Sequence, residues 1–243
     1  MSPFRANGSP PPPNRLLTLA EPNRASMELG SLFAAAPILL SAPRGDGHPV
    51  LVIPGLSGGA AWTAMLRLYL QAIGHTVHGP RFASTKGHGS RVRRLMSERV
   101  DELADRHGGG QVSLVGWSVG GCFARQVAAV RPARIRQVIT LGAPLDGVWY
   151  PADQRHAAGP LKVPVTAVVS RSDGIFQWRR CVQPPSARAE NVEVPSSHLG
   201  MATNPFAYHV LADRLAQPQG SWRPYSAPLL TRAISDRRPS WGR

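Results

Sequence analysis

Short apolar runs recur along the chain, with room for a helix between most of them. The runs are rich in valine, isoleucine and leucine and are bounded by glycine, proline or polar residues, which is typical of buried strands. Runs of this kind, separated by helical segments, indicate a parallel sheet that is covered on both faces. They predict strands at Pro49–Ile53, Thr76–His78, Gln111–Val115, Ile135–Leu141, Val163–Ser170 and Asn191–Val194.

The intervening segments carry helical patterns. The clearest is Ser90–His107, where apolar residues share one face of a helix and charged residues the other. Further helices are predicted at Met27–Leu40, Ala60–Ile73, Val119–Val130 and Asn204–Leu215. The alternation of strands and helices predicts an α/β fold, with a mostly parallel central sheet of about six strands and helices on both faces.

The 243 residues fit one domain with a sizeable core. Residues 1–24 contain Pro10–Pro13 and no periodic pattern, so we interpret them as a mobile leader. We expect the domain over residues 25–217 and a basic, loosely ordered tail over residues 218–243. A long connection at 143–161 is interpreted as a candidate small lid.

The net charge of +14 comes almost entirely from 26 arginines, against two lysines. Such a charge raises nucleic acid or an anionic membrane as partners. The arginines are spread along the chain rather than strung with aromatic residues, which makes nucleic acid an unlikely partner and leaves peripheral contact with an anionic membrane open. Two cysteines form no disulfide framework, and no apolar run reaches membrane-spanning length, so we expect a cytoplasmic protein. The oligomeric state is not fixed by the sequence.

Gly116-Trp-Ser-Val-Gly120 lies between a predicted strand and a predicted helix. A sharp turn there exposes the hydroxyl of Ser118 at the carboxyl end of the sheet. Glycines on either side provide the space that such a crowded turn needs. The five-residue pattern alone is weak in a chain with 24 glycines. Its position between strand and helix makes Ser118 a candidate nucleophile.

A nucleophilic serine needs a histidine as its base and a carboxylate that orients the histidine. With this type of turn, both partners follow the serine along the chain. Only three histidines do so: His156 in an irregular loop, His209 within a predicted helix, and His198 in a loop after the last strand. The position of His198 favours it as the base.

Two aspartates are candidates for the acid. Asp173 follows the strand that ends near Val169, and Asp146 follows the preceding strand in a stretch that also reads as an ordinary turn. We prefer Asp173 because its loop can turn a carboxylate toward His198.

Acyl transfer also needs two N–H donors for the oxyanion. The residue after the serine, Val119, is one candidate. Leu56 is the other, because it lies in the glycine-rich turn Pro54-Gly-Leu-Ser-Gly-Gly59 that follows the first strand.

The chain resembles the α/β-hydrolase superfamily over roughly residues 27–217, and more narrowly the compact bacterial esterase/lipase-like branch related to GPI inositol-deacylase-like proteins. The resemblance is carried by Gly45-Asp-Gly-His-Pro-Val-Leu-Val-Ile-Pro-Gly55, Val115-Gly-Trp-Ser-Val-Gly-Gly121, Val138-Ile-Thr-Leu-Gly-Ala-Pro144, Ser170-Arg-Ser-Asp-Gly-Ile175 and Ser197-His-Leu-Gly200. It implies Ser118 as nucleophile, Asp173 as acid, His198 as base, and Leu56 with Val119 as oxyanion donors. One departure is Gly79-Pro-Arg81, where such proteins often have a Gly-Arg-Asn turn.

These residues together lead us to expect a serine hydrolase that cleaves carboxylic esters, small or lipid-like, without a metal or cofactor. Trp149 and Tyr150 in the candidate lid would favour lipid-like or medium-chain esters. Two alternatives are kept. The same residues could cleave thioesters or amides, or the chain could be a non-catalytic binding protein built on a hydrolase scaffold.

Overall fold

The fold is seen in a computed structural model, which describes residues 12–56, 59–81, 89–146 and 159–226. The strands are β1 (Pro49–Ile53), β2 (Thr76–His78), β3 (Val112–Trp117), β4 (Ile135–Leu141), β5 (Val165–Val169) and β6 (Ala189–Glu193). The helices are α1 (Arg15–Leu40), α2 (Ala64–Ala72), α3 (Gly89–Arg106), α4 (Val119–Val130) and α5 (Pro205–Ala216).

The six strands form one parallel sheet in the order β2-β1-β3-β4-β5-β6. Because the chain moves outward from β1 in one direction to β2 and in the other to β3, the order reverses between β1 and β3. In open parallel sheets, ligands bind at this reversal, outside the carboxyl ends of the strands. Gly55 and Leu56, which follow β1, and the serine turn after β3 both lie there.

Apolar side chains on the two faces of the sheet form two cores. Val50 and Val52 of β1 join one core with residues of α1, α2 and α5, whereas Leu51 and Ile53 join the other with residues of α3 and α4. This alternation follows from the two-residue period of a strand. The predicted α/β fold, with helices on both faces of a parallel sheet, is therefore confirmed.

The N-terminal helix is longer than the sequence analysis predicted. It begins at Arg15 rather than Met27, so residues 15–24 are helical and the interpretation of this stretch as part of a mobile leader is wrong. The side chain of Asn14 caps the helix by accepting a hydrogen bond from the N–H of Leu16 at 2.9 Å. Pro22 and Pro37 lie inside the helix, where each removes one backbone donor. Pro22 lies in the stretch that was missed and obscured its helical pattern.

At the other end of the chain, the first residues of the predicted tail contact the domain. The N–H of Tyr225 donates to Glu190 Oε2 at 2.6 Å, and the Tyr225 ring packs against the core that contains α5. Residues 227–243 lie outside the described residues, as do residues 147–158 of the candidate lid. None of the helices in the described part of the chain combines the length and apolar character that a membrane crossing requires.

Candidate active site

Ser118 occupies the turn between β3 and α4 in an unusual backbone conformation. Its φ is 56° and its ψ is −133°, and among the described residues it is the one non-glycine residue with a positive φ. The Ser118 N–H donates to the carbonyl of Leu141 at 2.8 Å, and the Ser118 carbonyl accepts from the N–H of Gly121 at 2.9 Å. These bonds hold the turn in a conformation that costs about 1–3 kcal/mol.

The turn packs against β1 through Gly120. A Cβ at this position would lie 2.4 Å from the carbonyl oxygen of Ile53 and 2.5 Å from that of Pro54. Glycine is therefore required where the start of α4 touches the backbone that leads into the turn after β1.

His198 follows β6 and reaches the serine. Its Nε2 lies 2.9 Å from Ser118 Oγ, and its ring is almost completely buried. Phe176 contacts the ring edge-on, with 5.0 Å between ring centroids. The backbone of His198 is also anchored, because the indole Nε1–H of Trp117 donates to its carbonyl at 3.1 Å. These contacts fix both the position and the tilt of the imidazole.

Asp173 follows β5 and bonds to the opposite side of the imidazole. Its Oδ2 lies 2.7 Å from His198 Nδ1. Its Oδ1 accepts the N–H groups of Ile175 at 2.8 Å and Phe176 at 2.7 Å. Both carboxylate oxygens are thus bonded, which fixes the orientation of the group and selects the His198 tautomer with its proton on Nδ1.

The rival aspartate has a different partner. Asp146 Oδ2 accepts from Arg180 Nε at 2.5 Å in a partly exposed ion pair. The structure therefore brings Ser118, His198 and Asp173 together in hydrogen-bond order and pairs Asp146 with Arg180. Of the other two candidate histidines, His209 lies in α5, with Nδ1 3.1 Å from the Tyr225 hydroxyl, and His156 lies outside the described residues.

The two predicted oxyanion donors belong to two segments, the start of α4 and the stretch after β1. Val119 is the first residue of α4, and N–H groups in the first turn of a helix have no partner within the helix. The backbone that follows β1 lies very close to Ser118, since a Cβ on Gly55 would be 3.2 Å from Ser118 Cβ. Leu56 comes next and packs against the core that contains α4. The assignment of its N–H as the second donor remains a prediction.

Comparison with known proteins agrees with the fold described above. The family model for the alpha/beta hydrolase fold matches residues 48–162, from the start of β1 to the approach to β5. The chain has the α/β-hydrolase fold. Ser118 lies inside the matched segment, whereas Asp173 and His198 lie beyond it.

Solved structures are similar to this hydrolase-fold chain at low sequence identity. Aspergillus fumigatus lipase B is 16% identical, with a TM-score of 0.60 over 73% of this chain and 54% of the lipase, so the chain spans about half of that protein. Bacillus licheniformis lipase BlEst2 in its mature form is 15% identical, with a TM-score of 0.55 over 72% of this chain and 94% of the lipase. A serine hydrolase without a lid from Xanthomonas campestris is 16% identical, with a TM-score of 0.54 over 71% of this chain and 84% of that protein. Similarity at this level supports the fold.

Part of this site lies in residues 15–24, which the sequence pattern had assigned to a leader. In the structure, Glu21 of α1 is buried against the loops that carry Asp173 and His198. Asn14, an N-cap residue directly after the proline run, is the local signal that could have revealed the start of the helix. No local signal identifies the partners of Glu21, which are more than 150 positions away.

One group of side chains in the described part of the chain has the donor types of a metal site. Asp46, His48 and His75 place one ligand atom each within 4.8 Å of one another, near the amino ends of β1 and β2. However, Asp46 Oδ1 lies 2.5 Å from His48 Nδ1, and Asp46 Oδ2 accepts from Arg136 at 2.8 Å. The positive charge of the Arg136 guanidinium would repel a metal ion bound at this position. The group therefore fits a structural ion-pair cluster better than a metal site.

The buried His75 predicts a pH dependence of stability. Burial, with a smaller contribution from the neighbouring His48, lowers the pKa of His75 to about 4. In the unfolded chain the pKa is about 6.5, so the unfolded state binds a proton that the folded state does not accept. Stability is unaffected by this group above pH about 6.5 and decreases as the pH falls from there toward 4.

Replacing the imidazole of His75 should weaken the dependence of stability on pH. In His75→Phe, the free energy of unfolding should fall less between pH about 7 and 4.5 than it does in the wild type. Urea denaturation at both pH values measures the difference. Equal losses in the two proteins would show that His75 does not carry the effect.

Proposed function

We propose that this protein is a serine hydrolase that cleaves carboxylic esters through Ser118, His198 and Asp173. The observation that carries the proposal is the hydrogen-bond order from Ser118 Oγ to His198 Nε2, at 2.9 Å, and from His198 Nδ1 to Asp173 Oδ2, at 2.7 Å. A strained serine turn, a buried imidazole and a fully bonded carboxylate are the parts that acyl transfer by a serine requires.

The first half of the reaction forms an acyl-enzyme. Ser118 Oγ bonds to the acyl carbon while its proton passes to His198 Nε2, and the carbonyl oxygen becomes an oxyanion. The N–H groups of Val119 and Leu56 would stabilise that charge. When the ester C–O bond breaks, His198 returns the proton to the departing alkoxide, which leaves as an alcohol.

The second half regenerates the serine. Water attacks the acyl carbon and gives its proton to His198 Nε2, and the bond to Ser118 Oγ then breaks as the oxygen takes that proton back. A carboxylic acid is released. Throughout the cycle Asp173 accepts the Nδ1–H bond and stabilises the imidazolium without itself taking the proton.

Apolar side chains around the site favour an ester with an apolar acyl group. Trp62 is about half exposed and stacks on Trp117, with 5.8 Å between ring centroids. Ile175, two residues after Asp173, is also exposed. Apolar surface next to a reactive serine lowers the free energy of an apolar substrate placed there. Small-molecule or lipid-like esters are therefore the proposed substrates.

The nucleophile can be tested directly with a fluorophosphonate probe, which phosphonylates activated serines. We expect the wild type to be labelled and Ser118→Ala to remain unlabelled, with the modified residue mapped by peptide mass spectrometry. An unlabelled wild-type protein, or equal labelling of the variant, would contradict the proposal.

The acid is tested by a matched pair of variants. Asp173→Asn should lower kcat by about 10⁴-fold, because an amide favours the wrong tautomer of His198. Asp146→Asn removes a partly exposed ion pair with Arg180 and should leave kcat near the wild-type value, with a stability loss of about 0.2–1 kcal/mol. Steady-state kinetics on an activated ester measure both. The reverse result would move the acid to Asp146.

The bond that is cleaved is tested with matched substrates. We expect hydrolysis of esters to exceed that of thioesters and amides that carry the same acyl group, compared by kcat/KM. Preference for a thioester or amide would keep the mechanism and change the substrate class. Turnover must disappear in Ser118→Ala for any of these comparisons to report on this site.

A further inference from the structure

The carboxylate of Glu21 binds the backbone of both loops that carry the partners of Ser118. Its Oε1 accepts the N–H of Gly174 at 2.8 Å and the N–H of His198 at 2.9 Å. Its Oε2 accepts the N–H of Leu199 at 2.8 Å. Gly174 directly follows Asp173, so one side chain joins the acid loop to the histidine itself.

The burial of this carboxylate is extreme, since Glu21 is 1% exposed. A charge removed from water is costly unless it is well bonded, and hydrogen bonds to a charged acceptor are about twice as strong as those between neutral groups. Three such bonds, with Arg24 3.8 Å from Oε1, offset that cost. Removing the carboxylate would leave the N–H groups of Gly174, His198 and Leu199 without this acceptor in a buried setting.

Further contacts hold α1 against the acid loop at the same place. The hydroxyl of Thr18 donates to the carbonyl of Gly174 at 2.6 Å, and Arg24 Nη1 donates to the carbonyl of Ser172 at 2.6 Å. A Cβ on Gly174 would lie 2.6 Å from the backbone of Leu17. The helix backbone and the acid loop are thus in direct contact, which leaves little freedom for either to shift alone.

We propose that Glu21 is a positioning residue for the triad. By fixing the backbone of His198 and of the residue after Asp173, it maintains the two side-chain hydrogen bonds on which proton transfer depends. The inference rests on the proposed roles of Ser118 and His198. The hydrogen bonds of Glu21 go to backbone N–H groups and not to Ser118, so its removal should slow the chemical step rather than weaken substrate binding.

A second glutamate on the same helix supplies a matched control. Glu28 accepts the N–H of Ser197 at 2.6 Å, the hydroxyl of Ser196 at 2.5 Å and the side-chain amide of Asn204 at 3.0 Å. It therefore attaches α1 to the histidine loop with a similar number of bonds. Those bonds go to the neighbours of His198 and not to His198 or the acid loop.

Three variants distinguish positioning of the triad from mere attachment of α1 to the domain: Glu21→Ala, Glu21→Gln and Glu28→Ala. A small misplacement of catalytic groups can cost about 10²-fold, so kcat of Glu21→Ala should fall by about that factor with KM nearly unchanged. Glu21→Gln should recover part of the loss, because its oxygen can still accept from Gly174 and His198 while its amide group opposes the N–H of Leu199. Glu28→Ala should lower Tm as much as Glu21→Ala but keep kcat near the wild-type value.

A spectroscopic measurement makes the test independent of turnover. The proton shared by His198 Nδ1 and Asp173 should give a low-field resonance in the proton NMR spectrum of the wild type. We expect that resonance to broaden or move upfield in both Glu21 variants and to persist in Glu28→Ala. If Glu21→Ala does not fold, Glu21→Gln carries the comparison.

Either of two results would overturn the inference. The first is a folded Glu21 variant with unchanged kcat and an unchanged resonance. The second is an equal loss of kcat in the Glu21 and Glu28 variants, in proportion to their loss of Tm, which would reduce Glu21 to a stabilising contact. A wild type that shows the resonance but resists the fluorophosphonate probe would contradict the proposed function and not the positioning role.

Discussion

At Ser118 the chain passes from β3 into α4 with φ at 56° and ψ at −133°, and this turn is held by the sheet around it. The Ser118 N–H is bonded to the end of β4, and Gly120 packs on the carbonyls that end β1. Neighbouring strands on both sides therefore sustain a conformation that an isolated segment would leave. The result is a serine hydroxyl that projects beyond the edge of the sheet, where the loops from other strands arrive.

Parallel strands bring the loops after them to the same edge of the sheet. The loops after β5 and β6 can contact each other there only if the end of β4 leaves space between them. Asp173 follows β5 and His198 follows β6, so their hydrogen bond forms above the end of β4, next to Gly142. Gly142 has a φ of 56°, and a Cβ there would be 3.3 Å from both Asp173 Oδ2 and His198 Nδ1. A side chain at this position would crowd the hydrogen-bonded pair. The order of the strands and one residue without a side chain thus make room for the contact between acid and histidine.

The parts that the sequence predicted are those encoded locally or by chain order. Apolar runs gave all six strands to within a few residues. Chain order left three candidate histidines, and the positions of the loops after the strands favoured His198 as the base and Asp173 over Asp146 as the acid. The role of Glu21 was not predicted, because its partners, Gly174, His198 and Leu199, are set by tertiary packing. In addition, Pro22 is a residue that usually breaks a helix. The narrower resemblance to GPI inositol-deacylase-like proteins remains a prediction, since similarity to the solved structures extends to the fold.

The way α1 is attached explains why polar contacts matter so much at this site. Apolar residues lie all around the helix: Leu32 and Leu39 are buried in the core, yet Leu16, Leu19, Met27 and Phe33 are largely exposed. Hydrophobic burial is non-directional, so a helix without one distinct apolar face is weakly fixed in rotation and along its axis. Carboxylates bonded to particular N–H groups supply the missing specificity, since a shift of one turn would take Glu21 and Glu28 away from their donors. The bonds by which Glu21 selects the position of α1 therefore also hold the backbone of His198.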